Sequence, residues 1–351
     1  MKNKLLYLLI ISTFFSCREE INLELPTGEE KLVIEGKIEP GFPPYVFITK
    51  SQGYFEEIDS NTFSDLFVTG ADVWVYKRDA ILGIIDSLKL EEFDLSNLLA
   101  EESFTPPIYT NFTNFNPSFS QPGYTYKLSV VWNDYNINAT TTIPNITPLD
   151  SVFVRQTEDT TDSYKRCEIR AIYTDPDSSG NNILIMSRRS EHWIIDEDQY
   201  PDIINDFDER LLLIDCGPDV LINNSTFETF FPRPSNNGGF PNGTYRTGGM
   251  KIFIDSITNE KDSIFLPNDV VILKFCQVDK STMQFYRDVV RNTNAGGNPF
   301  SEPSNMVSNI EGGLGIWAGF GAVYYKVPVI IDTVILDKTE FEFPNDIFNI
   351  L

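Results

Sequence analysis

KLVIEGKIEPGFPPYVFITK, residues 31–50, is two apolar runs divided by a turn. Residues 31–38 and 45–50 are rich in β-branched and apolar side chains. Glu39-Pro40-Gly41-Phe42-Pro43-Pro44 between them cannot continue a strand, so the stretch predicts two strands across a Pro-rich turn. The signature recurs downstream. In residues 68–77 (VTGADVWVYK) the period of two puts Val73 and Val75 on one face and Trp74 and Tyr76 on the other. Residues 124–132 and 137–143 follow, the last ending at Pro144. At least five strands without a long helical pattern predict an immunoglobulin-like β-sandwich over residues 26–148. Residues 91–121, acidic and then rich in Phe, Asn and Pro, read as an exposed excursion from it. Its aromatics, Phe104, Tyr109, Phe112, Phe115 and Phe119, either fold down on the sandwich or form a contact surface. Phe227, Phe230, Phe231 and Phe240 pose the same choice.

From Asp150 a second series of short strands is expected at 151–155, 167–173, 183–187, 211–215, 251–256, 270–278 and 324–335. One helix stands out at 280–293 (KSTMQFYRDVVRNT), where Met283, Tyr286, Val289 and Val290 fall at helical spacing before Asn294-Ala295-Gly296-Gly297. The fold class is therefore mainly β: an immunoglobulin-like sandwich followed by a larger, mostly β domain (149–351) carrying one clear helix. Residues 309–321, rich in Gly, read as a tight loop feeding a strand. A phosphate cradle is disfavoured, because no Lys-Ser/Thr follows the glycines.

The chain has 351 residues, enough for about two domains, and a formal net charge of -24. That sign repels phosphate backbones, so no nucleic-acid partner is expected. One His in the whole chain removes most His-based catalysis and most zinc sites. His192 has no His or Cys at ligand spacing, and no Gly-x-Ser-x-Gly elbow presents a nucleophile. Asp175-Pro176-Asp177-Ser178-Ser179-Gly180 has oxygen ligands, but Met186 stands where a calcium loop would end in Glu, and a β-hairpin turn is the better reading. The acidic run 196–209 reads as a solvated face. No catalytic residue, metal ligand or cofactor is assigned. Cys167, Cys216 and Cys276 allow one disulfide plus a thiol, or three buried thiols.

The amino terminus carries an address. Lys2 and Lys4 precede an apolar run from Leu5 to Phe15, too short to span a bilayer, and then Ser16-Cys17. This resembles a bacterial lipobox, with residues 1–16 as the signal peptide, Cys17 as the lipidated residue and 17–25 as tether. Phe14 departs from the Leu that is commonest there. Arg18-Glu19-Glu20 resembles the basic-plus-acidic tract that sends Bacteroidetes lipoproteins to the cell surface. Six triplets, at Ser87, Ser151, Thr160, Ser256, Ser263 and Thr333, each preceded by Asp, resemble the O-glycan acceptor motif of exported Bacteroidetes proteins.

Several segments together resemble a family of Bacteroidetes outer-membrane lipoproteins, the domain of unknown function 4249. They are Leu32-Val33-Ile34-Glu35-Gly36, Val68-Thr69-Gly70-Ala71-Asp72-Val73, Ile143-Pro144 with Asp150-Ser151-Val152, Gly296-Gly297-Asn298-Pro299-Phe300, and Ser308-Asn309-Ile310-Glu311-Gly312-Gly313-Leu314-Gly315. The resemblance implies a surface lipoprotein often encoded beside TonB-dependent receptors, with no established catalytic or ligand residues to transfer. The expected function is a non-enzymatic accessory or binding partner of an outer-membrane β-barrel protein, a TonB-dependent transporter first. The protein would sit on the outer membrane by its lipid and face the exterior. The rivals are an extracellular component of outer-membrane protein biogenesis machinery, and a cell-surface glycan-binding module or carboxylate-dependent hydrolase.

Overall fold

The computed structural model describes residues 29–52, 60–93, 106–157, 163–177, 182–192, 206–208, 211–218, 223–234, 243–254, 261–295 and 305–340. The first unit comprises β1 (Leu32–Ile38), β2 (Tyr45–Lys50), α1 (Ser60–Asp65), β3 (Asp72–Asp79), β4 (Gly83–Phe93), β5 (Ile108–Thr110), β6 (Thr125–Trp132) and β7 (Tyr135–Thr142). The next stretch adds β8 (Ser151–Gln156), β9 (Arg166–Thr174), β10 (Asn182–His192), β11 (Asp206–Asp208), β12 (Leu212–Gly217), β13 (Thr226–Phe231) and β14 (Tyr245–Arg246). The chain continues through β15 (Gly249–Ile254), β16 (Lys261–Leu266), β17 (Val270–Val278), α2 (Lys280–Ala295), β18 (Ile310–Glu311), β19 (Leu314–Pro328) and β20 (Val334–Ile335). The protein is mainly β, as its sequence predicts.

β1 and β2 pair antiparallel across the Pro-rich turn, with Gly36 opposite Val46. The sheet continues through β5, β4, β3, β6 and β7. Its alternate residues meet in one core: Leu32, Ile34, Val46, Ile48, Val73, Val75, Leu128, Val130 and Ile137 are all buried there. Two late strands complete this core. β18 pairs with β7, and β19 pairs with β1 in parallel, so the Gly312-Gly313 turn bridges the two edges of the layer. Gly312 adopts φ +84°, a conformation that a side chain would strain.

β19 is the spine of the molecule. Trp317 enters the first core, whereas Val323, Tyr325 and Val327 enter a second one, facing β8, β9 and β13. On its other face Ile316, Ala318, Phe320, Ala322 and Tyr324 lie beneath α2, which contributes Met283 and Tyr286. Asp279 caps this helix, its Oδ1 accepting from Thr282 N at 2.8 Å, while Oδ2 accepts from Thr141 Oγ1 at 2.8 Å and ties the cap to β7. The thirteen-stranded sheet therefore runs straight across the boundary expected near residue 148, with β11, β10, β17 and β19 in one continuous sheet with β1.

Three local expectations change. The excursion at 91–121 is only partly one: β4 reaches Phe93, β5 is paired inside the sheet, and Tyr109 and Phe119 are buried in the first core. Of the second aromatic group, Phe231 is buried and Phe230 exposed. β9 and β10, expected to be the two arms of a hairpin, lie in different sheets, and buried Asp175 donates its N–H to Ser225 O at 3.0 Å; residues 178–180 lie outside the described residues. β19 begins at Leu314, not at Tyr324, because the glycines expected in a loop are strand residues in tight places. A Cβ at Gly319 would lie 2.3 Å from Thr142 O.

Candidate functional site

Beneath the turn that follows β1, three polar side chains converge inside an otherwise apolar layer. Lys274 and Tyr324 are direct cross-strand partners on β17 and β19. Lys274 lies between Ile272 and Cys276 on the face that α2 covers, and is buried. Glu39, the first residue after β1, reaches over both. Its Oε1 accepts from Lys274 Nζ and its Oε2 accepts from the Tyr324 hydroxyl at 2.5 Å. The ammonium also sits over Phe320, 4.6 Å from the ring centroid, and near Tyr324 at 5.6 Å.

These groups line a cavity of about 100 Å³. Its floor is Lys274, Phe320 and Tyr324, its sides are Met186 and Leu211, and its half-buried rim is Lys37, Phe42 and Tyr45. Phe42 meets Tyr324 edge to face, centroids 6.4 Å apart. Lys37 Nζ is 3.3 Å from Glu35 Oε1 and 5.8 Å from the Tyr45 ring. Desolvation is the largest influence on Lys37 and opposes its charge. The oxygens of Tyr45, Tyr286 and Glu35 together outweigh it and hold the ammonium well above its ordinary range. Burial, reinforced by the Glu39 carboxylate, raises the Tyr324 phenol well above its usual value, so it serves as a neutral donor. Burial likewise pushes the Cys276 thiol up to about 12 and the Tyr286 phenol up to about 12. The Tyr324 phenol and the Cys276 thiol are thereby held in their protonated forms.

A second feature lies at the tip of the β3–β4 hairpin. Ile81, Leu82, Ile84 and Ile85 stand out in solvent, Ile81 being 92% and Leu82 76% exposed. Asp79 Oδ1 accepts from the N–H groups of Ile81 and Leu82 at 2.8 and 3.0 Å and fixes the turn that displays them. The register places this tip at the far end of β3 from Asp72, which pairs with Val131 beside the β6–β7 turn. Glu30 lies at that opposite end, its carbonyl accepting from Tyr135 OH at 3.1 Å.

The model of a family described as a domain of unknown function (DUF4249) matches residues 18–324. The chain is a member of the DUF4249 family. No curated protein matches it. In this DUF4249 chain, two of the segments that carry the resemblance, 32–36 and 308–315, are physical partners: Val33 pairs with Leu314 and Ile34 with Gly315 across β1 and β19.

Cys17, Arg18, Glu19, Glu20, Thr160 and Ser256 lie outside the described residues. Ser87 is exposed on β4, Ser151 and Thr333 are half-buried, and Ser263 lies on β16 opposite Ile252. The four described candidates lie on β4, on β8, just before β20 and on β16. His192 ends β10 opposite Asp206. Cys167, Cys216 and Cys276 are free thiols, Cys167 and Cys276 buried and Cys216 half-buried. Among the described residues no group of three His, Cys, Asp or Glu is placed to hold a metal, and no helix is long and apolar enough to cross a membrane. Sequence reasoning missed both the Glu39–Lys274–Tyr324 cluster and the aliphatic tip. The available signals were a lone Lys inside VVILKFCQV (270–278) and the run AILGII (80–85) around a Gly turn.

Proposed function

We propose that this DUF4249 protein is a surface-exposed outer-membrane lipoprotein, held by Cys17, that acts as a non-enzymatic binding partner of an outer-membrane β-barrel, a TonB-dependent transporter. The observation that supports docking is the β3–β4 tip. Four aliphatic side chains in solvent on a chain of net charge -24 contribute nothing to its own core, and contiguous apolar surface of this kind marks contact sites. The lipobox-like leader supports the anchor. Confinement of both proteins to one membrane raises their effective concentration, so a small apolar contact suffices.

Affinity purification of the lipidated protein in mild detergent, followed by mass spectrometry, tests this reading. A transporter barrel is expected with wild type, and its recovery is expected to fall about tenfold or more with Ile81→Asp plus Leu82→Asp. Unchanged recovery with the tip variant, or membrane partitioning of Cys17→Ala identical to wild type, overturns it.

A further inference from the structure

We propose that the cavity beneath the β1–β2 turn binds a small carboxylic acid with a short apolar body. The donors and acceptors left in the cavity specify that chemistry. Both Glu39 oxygens already accept, one from Lys274 and one from Tyr324. Lys274 carries three N–H donors and gives one of them to Glu39. Lys37 at the rim gives one N–H to Glu35, whose side chain is 57% exposed, and carries two more donors. Among the residues that line the cavity two ammonium groups face one carboxylate, since Glu35, the partner of Lys37, lies outside that lining.

A ligand that fits must therefore bring acceptors and one negative charge. A cation would face two ammonium groups, and a phosphate dianion would exceed the single surplus positive charge. The remaining walls, Phe42, Met186, Leu211 and Phe320, require the rest of the ligand to be apolar. At about 100 Å³ the space is somewhat smaller than the ~150 Å³ cavity that accepts benzene, which matches a chain of a few carbons. The carboxylate would sit between Lys37 at the rim and Lys274 at the floor, with its chain against Met186 and Leu211. This site is separate from the hairpin tip, so its test stands or falls independently of barrel docking.

The experiment is calorimetric titration of the full chain with sodium butanoate, butanamide and butylamine. Butanoate is expected to bind saturably at one site. Butanamide, of the same shape without the charge, should be weaker by about tenfold or more, and butylamine should give no saturable heat. Met186→Trp fills the cavity and should abolish butanoate binding. Lys37→Met, at the half-buried rim, should weaken binding about fivefold or more. The inference is overturned if butanoate gives no saturable signal up to about 10 mM, if butanamide binds as well as butanoate, or if folded Lys37→Met binds like wild type.

Discussion

Trp317 occupies the space that a side chain at position 36 would need: a Cβ on Gly36 would lie 2.6 Å from Trp317 Cε3 and 3.3 Å from Val46 Cγ2. The two residues are paired across β1 and β19 in parallel register, and the buried indole donates its N–H to Tyr126 O at 3.0 Å. The demand at Gly36 is for room. Gly36→Ala is expected to destabilise the protein by about 1–3 kcal/mol through overpacking, and Trp317→Ala by about 3–5 kcal/mol through the cavity it leaves. Urea unfolding followed by tryptophan fluorescence for the first, and by circular dichroism for both, measures this. A Gly36→Ala protein with the wild-type midpoint would show that the indole is not held against β1.

This contact also marks where the sequence stops being legible. The strands at 31–38 and 45–50, the alternation of Val73 and Val75 against Trp74 and Tyr76, and the helix over 280–293 were readable because their signals are local periodicities. Parallel pairing of β1 with β19 joins segments some 280 residues apart, and no local pattern encodes it. The first half of β19 was hidden further by Gly315, Gly319 and Gly321, which have low strand preference and are there because neighbouring backbone passes close. The candidate site was opaque for the same reason. Glu39 reads as a turn residue and Lys274 as a strand irregularity until β17 and β19 place Lys274 beside Tyr324.

Breaking the Glu39–Lys274 pair should cost more than the pair contributes. Glu39→Gln leaves the Lys274 ammonium buried without its counter-charge, and Lys274→Met does the converse to Glu39. Each is expected to lose about 3–5 kcal/mol, and the double variant to recover much of that. A double-mutant cycle by chemical denaturation reads the coupling. Purely additive losses would mean that the two side chains do not meet.

Alkaline pH should unfold this protein through its buried phenols. Burial pushes Tyr126, Tyr286 and Tyr325 up to about 12, and Tyr324 rises well above its ordinary value. In the unfolded chain tyrosine ionises near 10, so from there upward the folded state holds more protons than the unfolded one. Stability is therefore complete below about pH 10 and falls between about 10 and 12, by up to about 1.4 kcal/mol per pH unit for each such tyrosine. Urea midpoints across that range, with tyrosinate absorbance recorded together, test it. Tyrosinate appearing for all tyrosines in still-folded protein near pH 10 would contradict it.

The β3–β4 hairpin separates residues that hold the fold from residues that do not. Leu88 and Leu90 are buried in the first core, while Ile84 and Ile85 on the same strand are 59% and 43% exposed. The register shift between Lys77 and Arg78 explains this: Leu88 and Leu90 pair with Val75 and Val73 on the core face, whereas past the bulge Ile84 pairs with Arg78 and is turned to the other face. Ile84→Ser is expected to change stability by no more than about 0.5 kcal/mol, whereas Leu90→Ala should lose about 2–5 kcal/mol. Thermal and urea denaturation of the two variants decides between them. A large loss at Ile84 would place the tip in the protein's own core and remove the structural basis for its use as a contact surface.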